Sequence, residues 1–308
     1  MSDKDALPSW DDARISKEFQ KKLRKSIQRS PRHRQIQARK RAGFEVQLDR
    51  HEAKFVIPPP MVAEIREFIR PFCQPDPHGS GDPPEYIVTT LQLDSPQLSL
   101  HHAKSNEALN RFKLRVRTYG DPPGSSPVFM EIKRKIRGTI VKSRTRIPFD
   151  CWSEELVRST KVMVDFKSSQ EETAFLEFKR LVREIDARPF ILIRYVRESY
   201  FSRLDRYARV SFDRKLTYQP TDSWDSWGEG GRWMSIDTPQ TQNKGYRFSG
   251  VVLELKTLSD TPQWMIDLVM NFSLARTGHC KYSNAVWQES LFRGNTAMPA
   301  YAQELLSS

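Results

Sequence analysis

The chain has 308 residues, of which 38% are hydrophobic and 29% charged, with 50 Lys and Arg against 38 Asp and Glu for a net charge of +12. A chain of this size buries enough apolar surface to fold without disulfides or structural metals. No apolar run approaches the ~20 residues of a membrane-spanning helix, and the polar N-terminus lacks a secretory signal, so a cytoplasmic location is expected.

Residues 1–43 form a basic tail holding 13 Lys and Arg against 5 Asp and Glu. Ile15, Phe19, Leu23 and Ile27 recur at every fourth position, the narrow apolar stripe of a basic helix. A solvated, disordered tail is the competing reading. From Phe44 to Ser308 the pattern is that of one α+β domain. FEVQLDRHEAKFVI alternates with period two and predicts a strand. PPPMVAEIREFI predicts a helix opened by proline, and CQPDPHGSGDPP a loop. EYIVTTLQLD resumes as strand. RFKLRVRTYG and PVFMEIKRKIRG form a hairpin round DPPGSS, and IVKSRTRIPF follows as strand. QEETAFLEFKRLVREI predicts a helix with Phe175, Phe178, Leu181, Val182 and Ile185 on one face. RPFILIRYVRESYFS, RYARVSFDRKL and SGVVLELKTL are further strands, with a loop from Trp224 to Trp233. Helices follow in PQWMIDLVMNFSL and CKYSNAVWQESL. Many antiparallel strands with interspersed helices point to a β-barrel or strongly curved sheet with helices packed outside it. There is no GxxxxGK[ST] phosphate loop and no Rossmann glycine fingerprint.

Cys73, Cys151 and Cys280 stand far apart and form neither a paired disulfide framework nor a zinc spacing. His101 and His102 lack a third ligand at metal-binding spacing. The net positive charge calls for an anionic partner. Outside the tail, however, 37 bases face 33 acids, so an anion site there has to come from local arrangement.

The strands supply such an arrangement. Successive strand side chains point to opposite faces. Arg111, Lys113, Arg115 and Arg117 therefore share one face of their strand, opposite Phe112, Leu114 and Val116. Glu131, Lys133, Lys135 and Arg137 share a face in the next, as do Arg50, Glu52 and Lys54 in the first. Glu254 and Lys256 do so opposite Leu253 and Leu255. Four like charges on one short face repel unless water or an anion compensates. The cations either face solvent or line a tunnel suited to a polyanion. Glu52, Glu131 and Glu254 each lie two residues from a lysine, as internal salt bridges or as oxygen ligands for Mn²⁺ or Mg²⁺.

RHEAKFVI resembles the RxExK(Y/F) opening of the VTC domain, the polyphosphate polymerase branch of the triphosphate tunnel metalloenzyme (CYTH-like) superfamily. RFKLRVRTYG is similar to its paired-arginine strand and FMEIKRK to its Glu-x-Lys strand. ILIRYVRESY, ARVSFDR and VLELK resemble the later tunnel strands, and CKYSNAV the closing Ser/Cys-Lys-Tyr/Phe motif. The matches run in family order from about residue 46 to 285. The resemblance implies phosphate binding by Lys54, Arg115, Arg117, Lys133, Arg197, Arg209 and Lys281, with Lys113, Lys135, Lys142, Arg144, Arg194 and Lys256 as further candidates. It implies Glu254 as a metal ligand assisted by Glu52 and Glu131, and polymerisation of polyphosphate from the γ-phosphate of ATP. A triphosphate hydrolase in the same tunnel, a polyphosphate-binding module and a nucleic-acid-binding protein are the alternatives. The chain shows neither an SPX-type sensor nor membrane helices.

Overall fold

The computed structural model describes residues 50–120, 126–137, 139–160, 164–204, 207–228, 230–236, 250–258 and 260–292. The basic tail and the expected start of the first strand lie outside them. The alternating segments form β1 (Arg50–Ile57), β3 (Glu85–Asp94), β4 (Asn110–Tyr119), β5 (Val128–Ile136), β6 (Thr139–Ile147), β7 (Arg188–Ser202), β8 (Arg209–Pro220) and β10 (Val251–Leu258). They pair antiparallel in the order β1-β10-β8-β7-β3-β4-β5-β6.

Lys133 Nζ on β5 lies 3.3 Å from Glu52 Oε2 on β1, although five strands separate the two in the sheet. Adjacent strands sit ~4.8 Å apart, so in a flat sheet these strands would stand roughly 29 Å from each other. The contact requires the sheet to curl back on itself. Among the described residues β1 and β6 share no ladder, so the curl is a half-barrel spanned by side chains.

Two apolar clusters on the outer face explain why the curl holds. Leu114 and Val116 of β4 and Met130 and Ile132 of β5 pack against Phe175, Phe178, Leu181 and Val182 of α4 (Ser169–Glu184). Ser168 caps that helix by accepting from Glu171 N, while the Glu171 carboxylate accepts from Lys167 N, a close relative of the capping box. Phe55, Phe212, Leu253 and Leu255 pack against Val62, Ile65 and Ile69 of α1 (Met61–Ile69) and Trp264, Met265 and Leu268 of α5 (Gln263–Asn271). Each such side chain contributes about 1.5–3 kcal/mol when fully buried. The cationic parity is thereby left inside. At one end the inner face itself turns apolar, through Val88, Ile193, Tyr195 and Val252. There Tyr282, Ala285 and Val286 of α6 (Lys281–Phe292) pack on it.

Four elements differ from the sequence reading. β2 (Cys73–Pro75) lies within the expected loop and pairs with β7. α2 (Ser99–Ser105) begins without a side-chain cap of its own. The Asp94 carboxylate accepts from Leu100 N and His101 N instead. A five-residue helix, α3 (Glu154–Arg158), precedes α4, capped by Ser153. The two-residue β9 (Met234–Ser235) pairs with β8. No helix among the described residues is long and apolar enough to cross a membrane.

Candidate functional site

Inside the curl is a cavity of about 120 Å³. β4 contributes Lys113, Arg115 and Arg117 to its lining, and β5 contributes Lys133. From across the bore come Glu52 and Lys54 of β1, Glu254 and Lys256 of β10, and Tyr195 and Arg197 of β7. Cys280 and Lys281 enter from the start of α6. Eight cationic side chains thus meet two carboxylates in the lining, and two further buried carboxylates sit behind it.

Glu131 of β5 is one of these and is fully buried. Its oxygens lie 2.7 Å from Arg115 Nε, 2.8 Å from Lys142 Nζ, 3.3 Å from Arg144 Nε and 3.8 Å from Arg117 Nη1. Burial pushes its carboxyl up, but Arg115, Arg117 and Lys142 outweigh it and hold the group far below the usual carboxylate range. Asp213 of β8 is the other. Arg197 grips it bidentately at 2.7 and 2.8 Å, and Lys281 Nζ donates to it at 2.6 Å. Its carboxyl is likewise depressed against burial by these two cations. Both guanidinium groups, of Arg115 and Arg197, are thus fixed from behind by an acid, and both line the bore.

Glu52 and Glu254 face each other from paired strands, with Lys54 Nζ 3.3 Å from one and 4.0 Å from the other. Arg197 Nη2 and Lys256 Nζ also approach Glu254, at 3.5 and 3.3 Å. Burial raises the Glu254 carboxyl, but Lys256, Lys54, a hydrogen bond with Glu52 and Arg197 bring it well below its ordinary value. A pair of carboxylates already gathered round a cationic atom and opening on the cavity fits a hard divalent ion, which takes further oxygens from phosphate. Glu131 lies behind the lining instead, its oxygens facing Arg115, Arg117, Lys142 and Arg144. Among the described residues no group of three or more His, Cys, Asp or Glu side chains is placed to hold a metal alone.

The cavity gathers Lys54, Arg115, Arg117, Lys133, Arg197, Lys281, Lys113 and Lys256 of the expected set. Lys142 and Arg144 reach it through Glu131. Lys135 and Arg209 occupy inner-face register positions, opposite Arg111 and Lys256, beyond the lining. Arg194 is turned to the other face: it donates to Thr89 Oγ1 and Trp227 O and stacks 4.2 Å from the rings of Trp227 and Trp233. The sequence reading missed Asp213, although it shares its strand parity with Arg209. It also missed Cys280, whose Sγ lies 2.9 Å from Lys113 Nζ. Burial raises that thiol, but Lys113 and Ser283 bring it down to about 6.

Burial lowers the Lys133 ammonium to about 8, a fall that Glu52 only partly offsets and that Lys54 and Arg115 deepen. It is charged below that pH and neutral above it, so the cavity's affinity for an anionic probe such as tripolyphosphate should fall as pH rises through 8. Lys133→Arg keeps its charge throughout and should flatten the decline; an unchanged profile between pH 7 and 9.5 would remove Lys133 from phosphate contact.

A family model described as the VTC domain matches residues 49–289. No curated protein matches the chain significantly. Among solved structures, a protein of Pyrococcus horikoshii OT3 is 10% identical with a TM-score of 0.39, covering 79% of this chain and 99% of its own. A candidate adenylate cyclase of Bacillus halodurans is 8% identical with a TM-score of 0.42, covering 76% and 94%. A candidate adenylyl cyclase of Hippeastrum, described as having a dominant triphosphatase activity, is 14% identical with a TM-score of 0.40, covering 77% and 95%.

Proposed function

The chain belongs to the VTC domain family, and from that premise we propose that it transfers the terminal phosphoryl group of ATP to the end of a polyphosphate chain inside the tunnel. The observation that carries this reading is the convergence of eight cationic side chains from five strands and α6 on one cavity that also holds the Glu52–Glu254 pair. A single phosphate has no use for so many cations, whereas a chain of phosphates meets a new one at each residue.

Phosphoryl transfer leaves little covalent work for the protein; it needs the attacking and leaving oxygens in line and the developing charge compensated. The acceptor is itself a phosphate oxygen, so no protein nucleophile is required. Arg115 and Arg197, braced by Glu131 and Asp213, would present their remaining N–H groups to the equatorial oxygens. Lys133, Lys54 and Lys281 would neutralise the flanking phosphates. Glu254 and Glu52 would hold the Mn²⁺ or Mg²⁺ ion, which supplies charge screening between donor and acceptor phosphates. Because the dielectric inside the bore is low, groups fixed beforehand act more strongly there than in water.

The test is incubation of the purified protein with ATP and Mn²⁺ or Mg²⁺, assaying long-chain polyphosphate and free phosphate together. Polymer made by the parent and lost in Arg115→Ala/Arg117→Ala is the expected result. Free phosphate without polymer would overturn the acceptor and make water the nucleophile.

A further inference from the structure

Behind the sheet, on its helix-covered face, lies an open cleft of about 410 Å³ between the turn at residues 149–154 and the loop at 222–226. Its chemistry is the reverse of the tunnel's. Phe149, Trp152 and Trp224 form its apolar walls, Asp222 and Glu154 stand exposed at its rim, Glu154 in a surface ion pair with Arg158 Nε at 2.7 Å, and among the described residues no Lys or Arg is part of the lining. The walls are fixed: Trp152 Nε1 donates to Trp224 O at 2.7 Å, and the two rings meet at 5.9 Å with an interplanar angle of 54°. Asp225 is spent within its own loop, accepting from Trp227 N and Gly228 N. Ser226 is not: it lines the cleft, is 1% exposed, and its Oγ has no hydrogen-bond partner. A buried hydroxyl without a partner is destabilising, a cost that a ligand N–H would remove. Its main chain is anchored to the sheet, since Thr118 Oγ1 of β4 donates to Ser226 O at 3.4 Å.

We propose that this cleft binds a small organic cation of the linear polyamine class. An anion is repelled by Asp222 and finds no lining cation to replace it, and a purely apolar ligand would leave the Ser226 hydroxyl unsatisfied; the exposed Glu154–Arg158 pair is weak enough for an ammonium to share the carboxylate. A polyamine answers each feature: ammonium groups for the two rim carboxylates, methylenes for the indole walls, and an N–H for Ser226 Oγ. The walls already attract positive charge, since the Arg158 guanidinium lies 5.6 Å from the Trp224 ring centre. A cation within about 6 Å of an aromatic face is attracted by the negative face of the ring.

The site is separate from the tunnel and its test is independent of the reaction. Spermidine is titrated into phosphate-free protein, following heat and tryptophan fluorescence. Saturable binding is expected, weakened about tenfold in Glu154→Gln/Asp222→Asn and severalfold in Ser226→Ala. Binding should be unchanged in Glu52→Gln/Glu254→Gln, which removes the two carboxylates lining the tunnel. The rim substitutions are at the surface, and their thermal transitions check the fold. Absence of saturable binding, indifference to the rim pair, or loss in the tunnel pair instead would each overturn the assignment.

Discussion

Glu254→Gln should lower phosphoryl transfer by roughly a hundredfold or more, the scale seen when one preorganised charge-stabilising group is removed from an active site. Glutamine keeps the shape of the side chain and leaves the β10 ladder intact, so the loss should fall on turnover and on metal response more than on folding. Two effects act together. One carboxylate of the Glu52–Glu254 pair is gone, and Lys54, Lys256 and Arg197, at 4.0, 3.3 and 3.5 Å from it, lose a partner that sets their positions. The informative measurement is turnover against Mn²⁺ concentration. The half-activating concentration should rise along with the fall in rate. A variant that keeps its metal response while slowing would make Glu254 a positioning residue only, and one with parental turnover would end its role.

Glu131→Ala should cost about 3–5 kcal/mol of folding stability, the penalty for removing one member of a buried ion cluster. Arg115, Arg117, Lys142 and Arg144 then crowd one another with no counter-charge. Added polyphosphate should restore more stability to the variant than to the parent, because the ligand supplies the missing negative charge; equal gains would show that the cluster does not reach the bore. The pH dependence has a definite sign. The Glu131 carboxyl titrates far below its ordinary 4.5 in the fold, so its contribution is whole above that pH and is lost as pH falls beneath it. Denaturant unfolding from pH 7 to pH 3 should therefore be flatter for Glu131→Gln than for the parent. A loss under 1 kcal/mol for Glu131→Ala would mean that water has replaced the counter-charge.

Much of this architecture is legible because the strands are two-faced. EYIVTTLQLD and RPFILIRYVRESYFS coincide with β3 and β7. The parity of Lys113, Arg115 and Arg117 places them together on the wall. The same rule, applied strictly, separates Arg194 from Arg197, three residues away and so on the opposite face. It also puts Asp213 beside the cations through Arg209 and Ser211. These two signals are present in the chain and are masked by reading charge before parity. Other features are not local at all. β2 exists because β7 offers it backbone partners, and α2 because a carboxylate from the end of β3 caps it. Cys280 reads as an ordinary buried thiol until α6 carries it into the bore beside Lys113. Glu131 has the same spacing to lysine as Glu52 and Glu254. Only the neighbouring strand β6, with Lys142 and Arg144, turns it from a candidate metal ligand into a counter-ion.

Among the described residues β1 and β6 share no ladder, and β1 is covered instead by the segment at 276–279, where Thr277 N donates to Lys54 O at 2.8 Å. A tube closed by strand pairing can be entered only from its ends, because opening its side would break a row of backbone hydrogen bonds at about 1 kcal/mol each. Here, among the described residues, the gap between β1 and the β4–β6 wall is bridged by contacts of another kind: the partly exposed ion pair of Lys133 with Glu52, worth about 1 kcal/mol or less, and the hydrogen bond from Lys113 Nζ to Cys280 Sγ at 2.9 Å. Salt, by weakening that ion pair, would therefore loosen the β1–β5 side of the curl without breaking a single backbone hydrogen bond of the sheet.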